Sequence, residues 1–250
     1  MNALDALFAQ TFAPLGMIQA GVIVVLIAAT AWLLWRFVVR SDRRDAEALQ
    51  RLADKRGWTI RRHMETGGTG YRIEVSPRDR DERWTCTVRR WRNTRVTATV
   101  RTTEFTSDVA RTHAGMVVVG PGIPRRDADE AARMLGNLDG TLALWLLARI
   151  FGEEDADAHA SLRPVRGVEL PGATVFATPD ADARAVTDPL AGLLAEWNTQ
   201  DEDMEQFPVA LIVDATGLRM RVRTDLARAA DLEAFIDRAR AVCRELARSD

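Results

Sequence analysis

Two cysteines occur in 250 residues, Cys86 and Cys243, and they form no CxxC pair. A disulfide framework and a cysteine zinc site are excluded, and the pattern fits a reducing compartment. Lysine is rarer still: Lys55 stands against 33 arginines. Together with abundant alanine, that bias reads as a GC-rich genome, so the arginine count alone argues little for nucleic-acid binding. The three histidines, His63, His113 and His159, stand apart, with no HExxH or HxxxH spacing. His159 follows Asp155 and Asp157 in "EEDADAH", which lacks the glycine turn and distal glutamate of a calcium loop. There is no GxSxG elbow. The glycine-rich "TGGTGY" at 66–71 precedes a strand pattern, whereas a phosphate cradle needs amides at a helix N-terminus. No local signature of catalysis remains, and no cofactor or metal is expected.

Charge is missing from one long stretch: none occurs between Asp5 and Arg36. Met17 to Trp35 is apolar apart from Gln19, Gly21 and Thr30. At about 1.5 Å per residue it reaches roughly 28 Å, close to the ~30 Å hydrocarbon layer of a bilayer. Trp32 and Trp35 close the run as interface aromatics do, and Arg36, Arg40, Arg43 and Arg44 follow. A secretory signal carries its positive charge before the apolar core, not after it. The reading is one uncleaved transmembrane helix, N-terminus outside and the rest in the cytoplasm.

The charge that is present is unevenly placed. Residues 36–95 carry 17 basic and nine acidic residues, and 96–250 carry 17 and 26. A basic segment next to a membrane suits the anionic cytoplasmic leaflet.

The pattern after residue 40 is α+β. "DAEALQRLADKRG" places Ala46, Leu49, Leu52 and Ala53 at helical spacing before Gly57. Period-two alternation then predicts an antiparallel meander with Tyr71, Ile73, Val75, Trp84, Cys86, Val88, Val96, Ala98 and Val100 on one buried face. "GMVVVGPGIP" reads as a strand buried on both sides. Helices are expected from Asp127, where Glu130 completes a capping box, and from Asp139 over "TLALWLLARIFG". The acidic "GEEDADAHAS" marks a boundary. Beyond it come strands "VRGVEL" and "ATVFAT", and a helix restarting at Asp188-Pro189. A hairpin "PVALIVDATGLRMRV" and a last helix with Leu232, Phe235, Ile236, Ala239, Val242 and Leu246 on one face complete the chain. The expected organisation is 1–40 for tail and transmembrane helix, 41–152 for a membrane-proximal α+β region, and 162–250 for a distal one. "TGYRIEV" at 69–75 and "TGLRMRV" at 216–222 share one alternation.

The most function-like cluster is Trp91 among Arg89, Arg90 and Arg92, with Arg61 and Arg62 one hairpin away. Arginines interleaved with an aromatic can hold lipid headgroups or stack bases. The stretches "LADKRGWTI", "GMVVVGP" and "VALIVDATGLRMRV" follow the layout of uncharacterised bacterial single-span membrane proteins with a cytoplasmic α+β domain, and the chain resembles that group. The resemblance implies a place at the inner membrane and carries over no catalytic residue. The resulting expectation is a membrane-anchored protein with a cytoplasmic interaction domain that meets the bilayer and a protein partner. The alternatives are a site assembled from distant residues that would make it an enzyme, or binding of anionic lipid or, with less support, nucleic acid through the basic region.

Overall fold

The computed structural model describes residues 29, 30, 32, 36, 44–65, 70–93, 98–121, 162–168, 170, 173–200 and 209–248. The chain divides into two compact units, Met1–Leu49 and Gln50–Asp250. In the first, positions 29, 30, 32 and 36 are helical; a helix α1 covers 44–56 and so runs from the first unit into the second. Leu49, Leu52 and Ala53 are its buried positions, at the expected spacing. Gly57 ends it at φ 69°, a left-handed conformation that glycine adopts without strain.

The expected transmembrane helix requires correction. Among the described residues, no helix is long and apolar enough to cross a membrane. Helix α1, the described helix that follows that stretch, carries seven charged residues in 13 positions, Arg44, Asp45, Glu47, Arg51, Asp54, Lys55 and Arg56, and so cannot lie in a bilayer. Of the stretch 17–35, only 29, 30 and 32 are described; Trp35, Arg40 and Arg43 lie outside the described residues. So do Val96, the 127–150 helices and the acidic loop with His159. Among the described residues the fold is one antiparallel sheet with three helices, none of them long and apolar enough to cross a membrane, where the expectation was a transmembrane helix followed by a domain of antiparallel strands and packed helices.

Nine described strands form one sheet: β1 (Trp58–Met64), β2 (Tyr71–Pro77), β3 (Trp84–Asn93), β4 (Ala98–Ser107), β5 (Val117–Pro121), β6 (Arg163–Pro164), β7 (Ala173–Ala177), β8 (Ala210–Asp214) and β9 (Gly217–Val222). Their order is β1-β2-β3-β4-β9-β8-β5-β7-β6, with every pair antiparallel. The C-terminal hairpin β8–β9 thus enters between β4 and β5, so the regions 41–152 and 162–250 contribute to a single sheet. Where "VRGVEL" suggested a longer strand, only Arg163–Pro164 pairs, and a turn follows at 166–167.

Alternation gives the sheet an inner face. Val75, Cys86, Phe105 and Met220 are successive Cα partners from β2 to β9, and all are fully buried. Helix α2 (Ala183–Gln200) packs against β7 and helix α3 (Ala229–Ala247), and α3 against β4. Leu232, Phe235, Ile236, Ala239, Val242 and Leu246 of α3 are buried as the helical period requires, together with Cys243. Arg56 of α1 reaches Glu233 at 2.6 Å and Asp237 at 2.5 Å on α3. Trp58 meets Trp84 edge-on at 5.6 Å, and Trp84 stacks on Phe105 at 5.6 Å. The outer face is polar over β1–β4 but apolar at the β8–β5–β7 end, where Val118, Ile212, Met116 and Leu162 form a second cluster. Burial of Val117, Val118 and Val119 alike explains the unbroken valine run.

Two expectations shift in register. Strand β4 runs to Ser107, and Val100 pairs with Trp91 on the outer face, as Ala98 pairs with Asn93. The inner residues of β4 are Thr103, Phe105 and Ser107. Helix α2 does not restart at Asp188; it begins at Ala183, capped by Asp182 Oδ1 accepting from the Arg184 and Ala185 amides, and Pro189 lies inside it. Pro189, the seventh residue of this 18-residue helix, removes one backbone hydrogen bond and crowds the carbonyl four residues before it, a cost that burial of Val186 and Leu190 offsets.

Candidate functional site: an arginine corner around Asp225

The strands β1–β4 are long, and their inner face continues past the buried core. Met64, Tyr71, Arg90 and Arg101 are successive Cα partners in one row across β1, β2, β3 and β4. Arg62 lies one inner-face position inward from Met64 on β1, and Arg92 one outward from Arg90 on β3. All four arginines are exposed, and Met64 is 73% exposed, high for so apolar a side chain. The same parity that buries Cys86 and Val88 therefore carries Arg90 and Arg92 to this corner.

One carboxylate organises it. Asp225, in the loop after β9, has a side chain only 10% exposed. It accepts a hydrogen bond from the Tyr71 hydroxyl at 2.9 Å, and its oxygens lie 4.0 Å from Arg90 and 3.8 Å from Arg101. Thr103 fixes the loop on both sides of it: its hydroxyl donates to the Thr224 carbonyl at 2.8 Å and accepts from the Leu226 amide at 2.9 Å. Arg90 and Arg101 face that carboxylate, and Arg62 and Arg92 occupy neighbouring inner-face positions, so the corner keeps a positive excess.

Burial and the Asp225 carboxylate push the Tyr71 phenol up to about 12, against weaker opposing effects of Arg90 and Arg62. Tyr71 is the sole tyrosine of the chain, so its titration can be read directly. The absorbance midpoint of tyrosinate formation is expected near 12 rather than the ordinary value of about 10, and Asp225→Asn moves it down. A raised pKa favours the protonated phenol in the fold. Its contribution to stability is therefore complete below about pH 10 and lost as pH climbs towards 12. A wild-type midpoint at the ordinary value would contradict the Tyr71–Asp225 geometry.

The cluster singled out in the sequence divides between two faces. Arg62, Arg90 and Arg92 belong to the corner; Arg61, Arg89 and Trp91 point to the outer face. There Arg89 lies 4.4 Å above the Trp91 ring and pairs with Glu65 at 2.5 Å, which holds the Glu65 carboxyl below its usual range. The outer face is laced with such pairs, among them Arg72–Glu74, Arg221–Glu104 and Arg219–Asp214. Of the residues assigned to a membrane interface, Trp32 is half exposed with Arg36 at 5.1 Å over its ring, and Arg44 is exposed. Tyr71, Arg101 and Asp225 were missed. The signal for Arg101 was its parity with Thr103 and Phe105; Asp225 carries none, being brought from 154 residues beyond Tyr71 by the placing of β9 beside β4.

Catalytic alternatives find little chemistry. Burial pushes both thiols up, Cys86 strongly and Cys243 to about 11, so neither forms a thiolate near neutral pH. Among the described residues no group of three or more His, Cys, Asp or Glu could hold a metal ion. His63 is exposed, 3.8 Å from Glu74, and His113 is exposed. An open cleft of about 580 Å³ lies between the β2–β3 loop, the end of β4 and the β8–β9 turn. Several of its charged groups are paired, as Arg83 with Asp108 at 3.3 Å and Glu82 with Arg240 at 2.5 Å.

A family of unknown function, DUF8066, matches residues 7–57. That match spans the uncharged N-terminal stretch and α1 and stops before the sheet. No curated protein and no solved structure matches the chain. The resemblance read from the sequence is thereby narrowed: the supported likeness is to this family over residues 7–57.

Proposed function

We propose that the protein is a non-catalytic interaction module that docks on an anionic membrane surface through the arginine corner. The observation that carries this reading is the convergence of Arg62, Arg90, Arg92 and Arg101 beside exposed Met64 on one end of the inner face. Guanidinium groups meet phosphate oxygens in bidentate fashion, and a flexible apolar side chain beside them suits the headgroup boundary. The cytoplasmic leaflet is the anionic one, which makes the inner membrane surface the place where such a corner works.

Four well-placed arginines at about 1 kcal/mol each give roughly 4 kcal/mol, near millimolar affinity on their own. Asp225 reduces this further, so the contact is weak and reversible. The full chain should bind anionic vesicles more tightly than neutral ones, with the neutral vesicles as baseline for the apolar stretch 17–35. That excess should fall steeply with salt. Replacing Arg62, Arg90, Arg92 and Arg101 by Gln should lower it by about tenfold or more. Replacing Arg61 and Arg89, on the outer face, should leave it intact. Equal losses from the two sets, or no anionic excess, would sink the reading.

A further inference from the structure

We infer that the Arg90–Arg101 pair is a binding site for a phosphomonoester group, with Asp225 as a fixed internal counter-charge that attenuates it. The inference rests on the docking reading above and names the headgroup chemistry of that surface.

The distances are the first argument. Hydrogen bonds from guanidinium to carboxylate are about 2.7–2.9 Å long. Asp225 lies 4.0 Å from Arg90 and 3.8 Å from Arg101, while its direct bond goes to the Tyr71 hydroxyl. The carboxylate thus holds both guanidinium groups by charge without consuming their donors. The second argument is rigidity. Thr103 pins the backbone at Thr224 and at Leu226, so Asp225 does not swing away to make room, and an incoming anion binds beside it. The third is the count of charges and acceptors. A phosphomonoester carries close to two negative charges at neutral pH and three terminal oxygens. A phosphodiester has one charge and two such oxygens. Two guanidinium groups on adjacent strands can each take a pair of oxygens from the monoester with one oxygen shared, whereas on the diester they must share both. In the same positive field, the dianion is also held about twice as strongly in energy. Asp225 weakens the field for both ligands and so keeps the monoanion weakly bound.

The test compares vesicles bearing phosphomonoester headgroups with vesicles bearing phosphodiester headgroups at matched total surface charge, using the full chain. Wild type should bind the monoester vesicles about fivefold more tightly. Asp225→Asn, which keeps an acceptor for Tyr71, should tighten both and the monoester more, by about fivefold. Arg90→Gln with Arg101→Gln should abolish the preference. A second arm titrates inorganic phosphate and follows the arginine Nε–Hε signals by NMR. Shifts confined to Arg90 and Arg101, without any vesicle preference, would support the site and make free phosphate its source. An anionic excess over neutral vesicles with neither monoester preference nor phosphate-induced shifts would overturn this inference and leave the docking reading standing. Weaker binding by Asp225→Asn with the fold intact would also overturn it, since Asp225 would then be gathering the arginines rather than attenuating them.

Discussion

Phe105→Ala is expected to lower the unfolding free energy by about 3–5 kcal/mol, the range for removing a buried aromatic ring. Phe105 has no exposed surface and occupies the inner face of β4, the strand to which β3 pairs on one side and β9 on the other. Its Cα partners are Cys86 and Met220, both fully buried, and its ring stacks on Trp84. These neighbours belong to strands hydrogen-bonded on both sides, and α3 covers them, so the vacated volume cannot collapse easily. In a unit of this size the loss amounts to a fall in melting temperature of about 10 °C or more. Urea denaturation followed by circular dichroism measures it, and Phe105→Leu, which keeps most of the volume, should cost less than about 1.5 kcal/mol. A change below about 1 kcal/mol for the alanine variant would mean that β4 is not the centre of the core.

Gly217→Ala should cost about 3 kcal/mol or more, although it adds one methyl group. Gly217 opens β9 at φ 143°, a conformation that side chains rarely take. A Cβ there would stand 2.1 Å from the Ser107 carbonyl oxygen and 2.9 Å from the Asp108 Cα. The strand cannot back away, because Asp214 locks the turn: its Oδ1 accepts from the Thr216 amide at 2.7 Å and the Gly217 amide at 3.2 Å, and its Oδ2 pairs with Arg219 at 2.6 Å. Gly57→Ala is the informative comparison. It also has positive φ, but a Cβ would meet nothing within 4 Å, so backbone strain of about 1 kcal/mol is its whole cost. Equal losses at the two positions would show that the approach to Ser107 is looser than the geometry describes.

Gly70, the counterpart of Gly217 in the paired "TGYRIEV" and "TGLRMRV" segments, meets its neighbouring strand in the same way. A Cβ would lie 2.1 Å from the Arg90 carbonyl oxygen. The likeness of the two segments is thus one of backbone need: each begins a strand that flanks the β3–β4 hairpin closely, β2 beside β3 and β9 beside β4.

How much was legible varies by element. Residues that alternate or repeat at a helical period announced their own burial: Ile73, Val75, Trp84, Cys86 and Val88 on the meander, and Leu232, Phe235, Ile236, Ala239, Val242 and Leu246 on α3. The continuous Val117–Val119 run announced two-sided burial. Period and composition are local, so the chain states them without help. Strand β4 was legible in kind but not in extent, since "TTEFTS" is mostly polar and its one aromatic ring is the buried point. The unbroken α2 hid behind Pro189, because a rule about proline is weaker than the packing of Val186 and Leu190. The apolar stretch 17–35 suggested a membrane crossing by its length and its flanking tryptophans and arginines, whereas no helix among the described residues is long and apolar enough to cross.

The sequence alone determined the alternation, the glycines at the end of α1 and the start of β9, the place of Cys86 on a buried face and the surplus of arginine in 36–95. The tertiary structure decided which arginines come together across strands. Strand parity divides Arg61, Arg89 and Trp91 from Arg62, Arg90 and Arg92, and cross-strand register sets Arg101 beside Arg90. The insertion of β8–β9 between β4 and β5 then delivers Asp225 to Tyr71. The physical reason is that a site made of charge depends on distance, and distance between residues so far apart in the chain exists only after the strands have paired.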